Sequence, residues 1–104
     1  GERVGLWLID GNHCPGAVMF LFQAHFGTLL FTGDFRFEGR MMSHPALSHP
    51  VDTVFLDTTF YHPSWTFPSK SEAALLVVDL VRDILNRGGR VRLAVDSLGC
   101  EEVL

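Results

Sequence analysis

Apolar and polar residues in this chain come in blocks. Residues 4–9 (VGLWLI) form a nearly unbroken apolar run. A run this short, with no polar alternation, predicts a strand covered on both faces. Residues 10–16 (DGNHCPG) interrupt it, and Pro15-Gly16 is a turn signal. Residues 17–24 (AVMFLFQA) and 28–32 (TLLFT) are further apolar runs, separated only by His25, Phe26 and Gly27. That separation predicts an antiparallel hairpin. Residues 35–52 have no period and contain Gly39, Pro45 and Pro50, which predicts a loop with one short helical turn. A fourth strand is expected over residues 53–56 (TVFL), and an aromatic-bearing loop over 58–68. A fifth strand is expected over 91–95 (VRLAV).

One helix has clear start and stop signals. Ser69 is placed to cap it, and Glu72 three residues later completes a capping box. Ala73, Leu76, Val77, Leu80, Val81 and Ile84 recur at helical spacing and define an apolar face. Gly88-Gly89 stops the helix. Strands first, then a helix, then a strand predict a layered α/β (α+β) domain.

Composition narrows the class. With 47% hydrophobic residues the chain can build a core, which excludes disorder. The formal charge of −4 provides no global basic field, so any nucleic-acid contact has to be local. Cys14 and Cys100 lie far apart and form no CxxC pair, so both are expected as free thiols. No apolar run reaches the roughly 20 residues of a membrane span, so no membrane partner is expected. The first residues enter strand-like sequence directly and the last begin a helix-like stretch. Both ends read as cuts through a fold.

The candidate chemistry sits at strand ends. His13 follows the first strand and precedes a sharp turn. Asp34 follows Gly33 at the end of the third, and Asp57 ends the fourth. A hydrolytic metal centre needs imidazole or carboxylate ligands on rigid supports, and these three residues offer them. The blander readings are a surface histidine and turn aspartates bonding their own backbone. For Asp10 an Asx turn is the preferred reading. His25, His44, His49 and His62 lie in turns and loops and receive no role. The chain has no nucleophile elbow, P-loop or dinucleotide fingerprint.

Three ordered motifs carry a resemblance: residues 10–20 (DGNHCPGAVMF), 32–36 (TGDFR) and 56–60 (LDTTF). Together with Pro68-Ser69 and Ser97-Leu98-Gly99, they resemble the DNA cross-link-repair nucleases of the β-CASP branch of the metallo-β-lactamase superfamily. The resemblance implies His13 as the family's single-histidine metal ligand and Asp34 as its metal-bridging aspartate. It implies Asp57 as the acidic residue of the first β-CASP motif, acting in catalysis from beside the metal. It further implies one or two zinc ions, DNA as substrate, a nuclear location and hydrolysis from a 5′ end in cross-link or end repair. An RNA-processing β-CASP endonuclease and a metal-free scaffold are the alternatives.

The implied fold is part of an αββα sandwich running into a β-CASP insertion. Residues 1–60 would be the C-terminal part of the metallo-β-lactamase core motifs, and 61–104 the start of the β-CASP region. The family's His-x-His-x-Asp-His cluster is absent and would lie upstream. Cys100 stands where relatives often carry a basic residue. Alone, these residues are expected to be inactive.

Overall fold

The structure, a computed structural model, describes residues 1–94. Strand β1 (Gly5–Asp10) pairs antiparallel with β2 (Val18–Ala24), and β2 with β3 (Gly27–Phe31). Strand β4 (Thr53–Phe55) adds parallel to β3, giving a four-stranded sheet in the order β1-β2-β3-β4. The expected hairpin forms as β2–β3 with a two-residue turn, Ala24 pairing with Gly27. Gly27 has φ of +104°, and a Cβ there would meet the Asp52 carboxylate. That carboxylate accepts the Thr28 N–H at 2.7 Å, and the Asp52 N–H donates to the Thr28 carbonyl at 2.9 Å. This exchange starts the parallel β3–β4 pairing.

Residues 35–52 make two 3-10 turns rather than one, Gly39–Ser43 and Pro45–Leu47. They cover one face of the sheet. Ile9, Met19 and Leu21 from the strands meet Met41 from the first turn, with Leu30, Phe35, Leu47 and Val51 packed around them. Each such side chain buried contributes about 1.5–3 kcal/mol. The other face is open, which corrects the expectation that residues 4–9 are covered on both sides. Leu6 and Leu8 are 51% and 57% exposed. The reason is that the covering segment runs over a single face. On the open face Leu8, Phe20, Phe31 and Phe55 form one cross-strand row. Phe31 and Phe55 stack at 4.3 Å with planes 2° apart.

The chain divides into two units between Tyr61 and His62. The second contains α1 (Lys70–Asn86), which begins as its sequence predicts. The Ser69 side chain accepts the Glu72 N–H, and the Glu72 carboxylate accepts the Ser69 N–H at 2.8 Å. Gly88, with φ of +80°, follows its end. Ala73, Val77, Val81 and Ile84 are half-buried, whereas Leu76 and Leu80 stay exposed. The fifth strand does not form over residues 91–94, and Val95 lies outside the described residues. Among the described residues no helix is long and apolar enough to cross a membrane.

Candidate active site

The loop after β1 is shaped by its own residues. The Asp10 carboxylate accepts the Asn12 N–H at 2.9 Å, the Asx turn expected of it. Asn12 has φ of +53°, in the left-handed region that Asn tolerates better than most residues. The Ala17 N–H then donates to the Cys14 carbonyl at 3.0 Å across Pro15-Gly16, with Gly16 at φ +85°. Such a turn needs glycine at its second corner. The Gly11 N–H closes the loop on the Ala17 carbonyl at 2.9 Å. His13 is held exposed on this loop, and Cys14 is a half-buried free thiol.

The loop after β3 lies against it. The Arg36 N–H donates to the Gly11 carbonyl at 2.9 Å, and the Asn12 side-chain amide donates to the Arg36 carbonyl at 3.2 Å. Gly11 is buried, and a Cβ there would come within 3.4 Å of the Asp34 carbonyl. The backbone stretches carrying His13 and Asp34 are therefore fastened to each other. Asp34 is exposed, and the preceding Gly33 has φ of +53°.

Asp57 joins this edge through β4. Its N–H donates to the Thr32 hydroxyl at 3.0 Å, and that hydroxyl lies 2.9 Å from the Gly33 carbonyl, to which it donates. Thr32 is only 2% exposed. One buried hydroxyl thus couples the strand end leading to Asp34 with the one leading to Asp57. The Asp57 carboxylate accepts the Thr59 hydroxyl at 2.6 Å and the Thr59 N–H at 3.0 Å. These Thr59 donors hold its pKa below the usual value, partial burial opposes them, and the Phe35 N–H and the positive field of His13 lower it further.

Three of the four histidines left without a role make local contacts. The His44 ring accepts the Ala46 N–H at 3.1 Å, His62 meets the Ser64 hydroxyl at 2.7 Å, and His25 lies 3.3 Å from the Glu2 carboxylate. Sequence reasoning passed over Thr32, Thr59 and the side chain of Asn12. The Asp57-Thr58-Thr59 run carries the Asx-turn signature that points to Thr59. Nothing local marks Thr32 as a link to Asp57, which lies 25 residues away.

His13 and Asp34 are the donor types zinc takes, but a zinc site needs at least three protein donors. Among the described residues, no three histidine, cysteine, aspartate or glutamate side chains form a group that could hold a metal ion. By donor type alone, His13 and Asp34 suit a zinc site that further ligands would complete.

The chain belongs to the DNA cross-link repair nuclease branch of the metallo-β-lactamase/β-CASP family, to whose members it is similar along its length. It is 49% identical over 105 residues to the 5′ exonuclease Apollo of Gallus gallus, across all of this chain and 22% of that protein. It is 40% identical to the DNA cross-link repair 1A protein of Gallus gallus over 100 residues, 92% of this chain and 10% of the relative. It is 42% identical to protein artemis of Rattus norvegicus over 93 residues, 83% of this chain and 13% of the relative. The chain spans about a fifth of the length of the Apollo relatives it matches. No family model matches it.

Proposed function

We propose that this chain is part of a zinc-dependent nuclease, and that the whole protein hydrolyses DNA phosphodiesters as a 5′ exonuclease in cross-link or end repair in the nucleus. The observation that carries this reading is the fastening of the His13 loop to the Asp34 loop, with Asp57 tied to the same edge through Thr32. The names of the relatives, an exonuclease and a cross-link repair protein among them, supply the substrate and the polarity.

In this reading the His13 imidazole and the Asp34 carboxylate hold zinc together with ligands from elsewhere in the protein. When bound, the metal supplies Lewis-acid chemistry to a phosphodiester. Asp57 is kept ionised and aimed by its two Thr59 bonds, so it can orient a ligand or accept a proton at its carboxylate. Residues 1–60 form the second half of a metallo-β-lactamase core and 61–104 open the β-CASP region. The exposed apolar sheet face, with Leu8 and Phe55 more than half exposed, is the surface that a second layer of an αββα sandwich would cover.

The test is hydrolysis of end-labelled DNA by the full-length protein, with and without a zinc chelator, beside a sequence-matched RNA. The expected result is zinc-restored release of nucleotides from 5′ ends of DNA, abolished by His13→Ala. Faster internal cleavage of the RNA would favour an RNA-processing endonuclease. Absence of cleavage on either strand, with zinc present, would leave a scaffold.

A further inference from the structure

Asn12 sits immediately before His13 and makes more of its hydrogen bonds away from the turn than within it. Its N–H bonds Asp10. Its side-chain amide donates to the Arg36 carbonyl at 3.2 Å, and its side-chain oxygen accepts from the Arg40 guanidinium at 3.3 Å. Arginine can only donate, so Arg40 fixes which end of the amide is oxygen and which is NH2. Arg40 is itself held by Glu38 at 2.7 Å. The Gly11 carbonyl accepts the Arg36 N–H, so consecutive residues Gly11 and Asn12 grip the main chain of Arg36 at both its N–H and its C=O. His13 lies one residue beyond this grip on one loop, and Asp34 two residues before it on the other. The left-handed φ of Asn12 turns its side chain onto the neighbouring loop at a position where most other side chains would be strained.

We propose that Asn12 is a positioning residue whose side-chain amide sets the spacing of His13 relative to Asp34. The inference rests on the zinc reading of those two residues. A ligand pair on two exposed loops gains affinity when the loops are held in place before binding, because less ordering then remains to be done. Changes to groups that orient metal ligands typically cost about 10–100-fold in metal affinity or activity.

The experiment measures zinc affinity of the full-length protein by competition with a chromogenic chelator, and the melting temperature of the zinc-free protein. Asn12→Gly keeps the left-handed backbone without strain and deletes the amide. Asn12→Asp keeps the turn and the acceptor for Arg40 but cannot donate to the Arg36 carbonyl. Both are expected to weaken zinc binding by about 10-fold or more. In a His13→Ala background, Asn12→Gly is expected to cause no further loss, since its effect passes through His13. Wild-type zinc affinity in Asn12→Gly and Asn12→Asp, or a loss adding in full to that of His13→Ala, overturns the inference. So does a fall in melting temperature with zinc affinity intact, the mark of a structural role alone. Unchanged zinc affinity in His13→Ala overturns the zinc reading, and this inference with it.

Discussion

At the residue scale, Asp57 combines the bonds of a turn aspartate with a place at the edge that also carries the His13 and Asp34 loops. Its Asx bonds to Thr59 are local, but its field also comes from Phe35 and His13, residues more than 20 positions away. Asp57→Asn keeps size and one acceptor oxygen but removes the charge. In the full-length protein the expected outcome is an unchanged melting temperature with turnover down about 10–100-fold, read from a nuclease assay at saturating zinc. Thr59→Val removes the donor that contributes most to holding the Asp57 pKa down. The Asp57 carboxyl signal in an NMR pH titration should then move to higher pKa. Because the folded pKa is depressed, its stabilising contribution is present above the unfolded value, near 3.9, and is lost as pH falls through the folded one. The stability gap between wild type and Thr59→Val is therefore expected at neutral pH and should narrow in acid.

At the element scale, local grammar and long-range contacts divide the work. The cap of α1 was fully legible, since Ser69 and Glu72 bond each other across three residues. The β2–β3 hairpin was legible because a two-residue turn brings the two strands it joins directly against each other. The parallel addition of β4 to β3 was not, since 21 residues and two 3-10 turns lie between them. Thr32 is where that addition matters for the site. Thr32→Val has the same shape but removes the hydroxyl, leaving the Asp57 N–H without this acceptor. Losing such a partner costs about 1–3 kcal/mol, so the urea unfolding midpoint should fall and turnover with it. Thr32→Ser keeps the hydroxyl and should retain turnover; equal loss of turnover in both variants would remove the hydroxyl from the account.

At the scale of the whole molecule, two features belong together. The sheet has one face covered by residues 35–51 and one face of exposed Leu and Phe. The candidate site offers His13, Asp34 and Asp57 at one edge of the sheet, with no metal-holding group of three among the described residues. These 104 residues alone are therefore expected to bind a hydrophobic-surface dye, to take up zinc weakly in a calorimetric titration, and to leave DNA intact. Tight stoichiometric zinc binding by this chain alone would contradict the partial-site account.

The sequence by itself determined what short-range physics controls. Apolar runs between glycine and proline breaks marked the four strands, though also a fifth that does not form over residues 91–94, and the capping box and apolar spacing marked the helix. The motif order at residues 10–20, 32–36 and 56–60 marked the family and nominated His13, Asp34 and Asp57. What the tertiary structure decided depends on pairing at a distance. An unbroken apolar run is compatible with cover on one face or on two, and only the path of residues 35–51 left Leu6 and Leu8 exposed. The grip of Gly11 and Asn12 on Arg36, and of Thr32 on Asp57, joins residues 24 or 25 apart. No periodicity encodes such bonds, because they form only once the strands have brought the loops to one edge of the sheet.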